Sequence, residues 1–213
     1  LAQLRYDDLE EFMFDKLIDE LPKNLYYHDI RHTIDVVTHV EIIARGENVS
    51  EEDLLLLKTA ALFHDSGFII GYQDHEVLGI QIANEILPRY HYNESQIKII
   101  GDLIYSTKMP YNPKNNLENI ICDADLDYLG RTDYQNVSRD LYRELIQYNM
   151  IDKSEYDWNK LQMKFLKSHK YFTETNKKRR SYNKNKQLQK IIELDFRFET
   201  NISDGDNHMA NNN

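Results

Sequence analysis

Apolar residues recur at spacings of three and four along almost the whole chain, and this pattern constrains the fold more than any other feature. A stripe with that period is buried by winding the backbone into an α-helix. No stretch alternates apolar and polar residues between hairpin turns, so strand formation has no pattern to build on. With 7 Gly and 4 Pro in 213 residues, few breakers interrupt the runs. The expected fold class is all-α, a single-domain helical bundle.

Caps and breakers locate the helices. The first is expected over about residues 6 to 21, with Leu9, Phe12, Met13, Leu17 and Leu21 on one face and Pro22 at its end. Asp29 is placed to cap a second helix that carries His32, Val36, Val40 and Ile43 towards Gly46. Ser50 and Asp53 resemble a capping box ahead of the apolar run Leu54 to Phe63, and Gly67 is expected to end that helix. Helices near 75–89 and 94–107 follow, the second capped by Asn93. A polar loop with Pro110 and Pro113 then leads to a helix bearing Asp123 and Asp125. Beyond Gly130 charged residues become denser, and three more helices are expected at about 133–149, 154–168 and 171–198. These read as an extension, about 131–199, of a core spanning about 26–130. Residues 200–213 have almost no apolar content and are expected to form a disordered tail.

Composition narrows the function. A net charge of −10 argues against nucleic acid as a partner, because that affinity rests on Lys and Arg neutralising phosphates. The one cysteine, Cys122, excludes an intrachain disulfide and reads as a small buried hydrophobe in a reducing compartment. No apolar run approaches the roughly 18 residues that span a bilayer, and no basic segment precedes an apolar one near residue 1. The expectation is a cytoplasmic protein with no membrane partner and with homo-oligomerisation left open.

Against this helical background, three segments supply four histidine and carboxylate residues: His32, the pair His64 and Asp65, and Asp125. Imidazole nitrogen and carboxylate oxygen suit a divalent ion such as Mn, Fe, Co, Ni, Zn or Mg, and one cysteine cannot build a closed thiolate zinc site. Their order and local contexts resemble the HD superfamily of metal-dependent phosphohydrolases. The contexts are Tyr27-His28-Asp29-Ile30-Arg31-His32, Leu62-Phe63-His64-Asp65-Ser66-Gly67 and Ala124-Asp125-Leu126. The first is similar to the opening motif of cyclic nucleotide phosphodiesterases. The resemblance covers about residues 26 to 130 and implies a helical bundle of the HD-domain type. It implies that His32, His64, Asp65 and Asp125 hold the metal, that Asp65 also positions a water, and that His28 protonates the leaving oxygen.

Other residues follow from these. On a continuing helix His28 and His32, four apart, share a face. His75 is a candidate substrate contact, and Asp123 is a candidate to orient a ligand histidine. Asp127 reads as solvated, and His39 and His91 as structural. Phe68 stands where many HD proteins carry a phosphate-binding lysine, so positive charge must come from elsewhere. Lys108, Arg180 and Lys184 are the candidate substrate-binding groups, with Arg131, His169, Lys170 and Arg179 as further basic residues. The expected activity is hydrolysis of a phosphate ester of a small molecule, a nucleotide in the first instance. A cyclic nucleotide or dinucleotide phosphodiesterase and a non-catalytic metal-bound nucleotide sensor are the alternatives.

Overall fold

In the computed structural model, residues 2–209 are described, with side chains over 6–195. Among the described residues the regular structure is helical throughout: α1 Ala2–Glu20, α2 Ile30–Gly46, α3 Glu51–Phe63, α4 His75–Ile86, α5 Glu94–Ser106, α6 Asn116–Asp125, α7 Tyr134–Gln147, α8 Glu155–Ser168 and α9 Glu174–Met209. Short 3₁₀ turns at Ser66–Ile69, Leu87–Tyr90 and Asp127–Gly130 punctuate it. The expected helices and the observed ones differ by a few residues at most of their ends. At the carboxyl end α9 carries helix on to Met209, across positions assigned above to the tail, while 210–213 lie outside the described residues. A helix anchored by packing propagates at the small cost of one residue per added bond, which composition alone does not capture.

Side-chain caps fix the helix starts. Asp29 accepts from the backbone N–H of Arg31 and His32, Ser50 from that of Asp53, and Asn93 closes a full capping box with Gln96. Each such cap contributes about 1 kcal/mol. The main core joins Leu9 and Met13 of α1, Val40 and Ile43 of α2, Leu57 and Phe63 of α3, Ile100 and Leu103 of α5, and Ile120 of α6. A second core under the carboxyl-terminal helices gathers Tyr27, Tyr128, Leu129, Tyr134, Leu166, Tyr171 and Ile191. Truncating one fully buried Leu such as Leu57 to Ala is expected to cost about 2–5 kcal/mol.

Gly67 serves a purpose other than ending α3, which already stops at Phe63. A Cβ on Gly67 would fall 1.9 Å from the carbonyl oxygen of His75, and one on Gly79 would fall 2.7 Å from that of Phe63. The two glycines let the turn after α3 touch the start of α4 backbone to backbone, which delivers His75 beside Asp65. No helix among the described residues is long and apolar enough to cross a membrane.

Candidate metal centre

His32 sits in the first turn of α2, His64 and Asp65 follow the last residue of α3, and Asp125 closes α6. Adjacent residues on a continuous helix diverge by about 100°. Because α3 has ended, His64 and Asp65 instead turn to the same point. His32 Nε2 lies 3.0 Å from Asp125 Oδ1, 3.3 Å from His64 Nε2 and 3.4 Å from Asp65 Oδ2. His64 Nε2 lies 3.1 Å from Asp65 Oδ2 and 3.8 Å from Asp125 Oδ1. His32, His64 and Asp125 each offer an atom within 4.8 Å of the others. His64 Nδ1 pairs with the carbonyl of Ala61 at 2.8 Å. That bond makes Nδ1 the donor and turns the Nε2 lone pair towards the cluster.

Asp65 Oδ2 is buried and accepts no hydrogen bond. A buried carboxylate oxygen in that state is costly unless a cation faces it. Imidazole and carboxylate atoms converging on one point, with one oxygen unserved, fit a divalent ion. The electrostatics agree. Burial pushes His64 down, but Asp65 and Asp125 outweigh it and lift its pKa to about 9. Burial likewise opposes ionisation of Asp65 and Asp125, yet the imidazoles hold Asp65 well below the ordinary carboxylate range and lower Asp125. Tyr111 donates its hydroxyl to the other oxygen of Asp125, a contact the sequence reading missed.

His28 lies ahead of α2, in the loop that precedes the Asp29 cap, so the expected shared helix face does not form. Glu144 of α7, fully buried, holds it instead. That carboxylate accepts from the backbone N–H of Tyr26, Tyr27 and His28 at 2.9, 2.8 and 3.1 Å, from Tyr72 Oη at 3.0 Å, and from His28 Nδ1. Burial lowers the His28 pKa, and Asp65 and Glu144 raise it further than burial lowers it, leaving it above its ordinary value. Its ring stands 5.9 Å from that of His32 and stacks on Phe68 at 4.5 Å, while His75 stacks on Phe68 at 4.0 Å. Phe68, apolar where a lysine was looked for, thus braces two histidines. His75 Nε2 reaches Asp65 Oδ1 at 3.5 Å. Lys108 is more exposed and pairs with Asp74 at 2.6 Å, one residue before His75.

Three expectations need correction. Asp123 does not orient a histidine; it accepts from the backbone N–H of Phe172 at 2.9 Å and of Thr173 at 2.8 Å, and from Thr173 Oγ1 at 2.6 Å. Asp127 is not solvated but 1% exposed, with Arg180 Nη2 at 2.7 Å and His39 Nε2 at 3.1 Å. Arg180 and Lys184 are committed to internal partners and do not supply free charge to a substrate. Arg180 serves Asp127, and Lys184 Nζ donates to the carbonyls of Leu166 and His169 at the end of α8. Unpaired main-chain oxygens and buried carboxylates draw in cations that a sequence shows only as a basic stretch. Cys122 is buried as expected, and its surroundings push the thiol up to about 12.

Comparison with known proteins gives the same picture. Residues 29–127 match the family model of the HD domain. An uncharacterized protein of Clostridium beijerinckii is 34% identical over 76 residues, 34% of this chain and 48% of that protein, so the match spans about half the relative's length. The crystal structure of a predicted HD superfamily hydrolase from an uncultured Thermotogales bacterium superposes with a TM-score of 0.55 at 21% identity, covering 90% of this chain and 91% of that one. That likeness is one of fold. The four ligand-type residues all lie inside the segment, 29–127, that matches the HD domain model.

Proposed function

We propose that this protein is a metal-dependent phosphohydrolase that cleaves a phosphate ester of a small molecule, with a nucleotide as the first substrate class to test. The observation that carries the reading is the convergence of His32, His64 and Asp125, with Asp65 Oδ2 facing both imidazoles. His32, His64, Asp65 and Asp125 would hold one divalent ion. Such an ion lowers the pKa of a water and neutralises charge on phosphoryl oxygens.

The chain's own groups supply the rest. Asp65 Oδ1, which faces His75, would orient the attacking water. Glu144 fixes Nδ1 of His28 and leaves Nε2 as the nitrogen free to give a proton to the departing alkoxide. The Glu144 carboxylate favours the protonated ring, the form a general acid requires. Phe68 keeps the His28 and His75 rings aligned and presents an apolar wall beside them. Lys108, paired with exposed Asp74 one residue before His75, would meet the substrate's phosphate by exchanging that bond.

A proton donor matters most for an alkoxide leaving group, so the His28–Glu144 pair also supports the diesterase alternative. Phosphate release from a nucleotide panel with added Mn²⁺, run beside cyclic nucleotides and bis(p-nitrophenyl) phosphate, separates the readings. Turnover of monoesters supports the first and turnover of diesters the second. Tight nucleotide binding without turnover of either would leave a sensor.

A further inference from the structure

The segment Asp123-Ala124-Asp125-Leu126-Asp127 places three carboxylates at alternate positions, and the structure uses them in two ways. Asp125 faces His32 and His64. The flanking pair faces the opposite way, towards the start of α9. Asp123 takes the N–H groups of Phe172 and Thr173 and the Thr173 hydroxyl, while Asn176 Nδ2 donates to the Asp123 carbonyl at 3.1 Å. Asp127 takes Arg180 Nε at 3.0 Å and Arg179 Nη1 at 3.3 Å. The backbone packs as tightly as the charges pair. A Cβ on Gly130 would fall 2.6 Å from the Arg180 carbonyl oxygen, so α9 approaches the turn Asp127–Gly130 as closely as glycine permits.

We propose that α9 is the clamp that sets Asp125 for metal binding, with Asp123 and Asp127 as positioning residues. The inference rests on the reading of Asp125 as a ligand. It assigns a role in metal affinity to residues 172–180, which lie beyond the matched segment 29–127. The physical reason is rigidity. A ligand aspartate on a helix's last turn, where the backbone hydrogen-bond ladder has run out, keeps its rotamer only if the chain on both sides is fixed. Here both neighbouring carboxylates are fastened to residues 172–180, and Asp127 also meets His39 of α2. A group bonded directly to a ligand, as Tyr111 is to Asp125, is typically worth about 10–100-fold in metal affinity, and the clamp acts one step further out, at the lower end of that range.

The test is titration of the metal-free full chain with Mn²⁺ by calorimetry, with a thermal melt of every variant. Asp127→Asn and Arg180→Gln weaken the charge clamp, and Gly130→Ala pushes α9 outwards without altering any charge. Each is expected to weaken Mn²⁺ binding about 10-fold. Leu103→Ala, in the α5 core, provides a comparable loss of melting temperature away from the clamp and is expected to keep wild-type affinity. Asp125→Ala is run alongside. If Asp125→Ala loses the metal while all three clamp variants bind as tightly as wild type, the clamp is wrong and the metal centre stands. If Asp125→Ala itself binds normally, the underlying reading fails. Equal weakening in Leu103→Ala would reduce the effect to general stability and overturn the clamp.

Discussion

His32 and His39 stand about two turns apart on α2, and each faces a carboxylate from the end of α6. His32 meets Asp125 at 3.0 Å and His39 meets Asp127 at 3.1 Å. The two clusters nevertheless differ in how their charge is balanced. Around Asp127, Arg179 and Arg180 bring two permanent cations, so the cluster is neutralised by the chain itself. Around Asp125 and Asp65 the paired groups are imidazoles, His32, His64 and His75, with no arginine or lysine paired to either carboxylate among the described residues. A buried charge cluster completed by arginine holds a fold together. One built from imidazole and carboxylate alone offers ligand atoms to an ion from outside.

The sharpest way to break this contrast is to supply the missing cation covalently. His32→Lys places an ammonium among Asp65, His64 and Asp125, so metal binding is expected to vanish while the metal-free protein melts no lower than wild type. Mn²⁺ titration and a melt in chelator check both halves, and undiminished metal binding would erase the distinction between the clusters.

A smaller effect is expected where the chemistry lies beside the ion. His28→Asn should keep the metal and reduce turnover by about 10²–10⁴-fold, the usual contribution of a general acid. Glu144→Gln, which keeps the backbone acceptor oxygen but weakens the hold on Nδ1, should reduce kcat by about 10-fold or somewhat more, with unchanged metal content. It should also lower the basic limb of the pH profile, because Glu144 helps to raise the His28 pKa. Metal loss in His28→Asn would make that residue a ligand.

The smallest effect is in the pH dependence of folding without metal. The two histidine clusters should give opposite signs. His64 is raised from 6.5 to about 9. A raised imidazole contributes stability that is complete below 6.5 and disappears as the pH climbs through about 9. His39 is lowered by burial and then by Arg180 and Arg179, against Asp127. Its neutral form is the stabilised one, so its contribution is present above 6.5 and is lost as the pH falls below that value. Melts in chelator from pH 5 to 9 should therefore lose the acid-side decline in His39→Asn and the alkaline-side decline in His64→Asn. Identical profiles for the two variants would contradict the contrast.

The helices and the three segments of the candidate metal site were legible in the sequence because their signals are local. Asp29, Ser50 and Asn93 cap within three residues of themselves, and the His32, His64-Asp65 and Asp125 contexts are short and ordered. What escaped depended on distant pairing. Glu144 holds the segment Tyr26 to His28 from more than a hundred residues away. A signal existed: Val137, Leu141, Glu144 and Tyr148 fall at three and four residue spacing, which puts a carboxylate in the buried stripe of α7. Arg180 and Lys184 were misread for the complementary reason. A basic run shows that cations are present, but their partners, Asp127 and the last carbonyls of α8, are set by packing.

His32, His64, Asp65 and Asp125 are proposed to form one divalent-ion site, and Asp65→Ala is its sharpest probe because Asp65 Oδ2 faces both His32 and His64. Metal content and Mn²⁺ titration of the purified wild type and of this variant are compared at neutral pH. The account predicts one ion per chain in the wild type, and no retained ion and no hydrolysis in Asp65→Ala. Full metal occupancy in Asp65→Ala would contradict it.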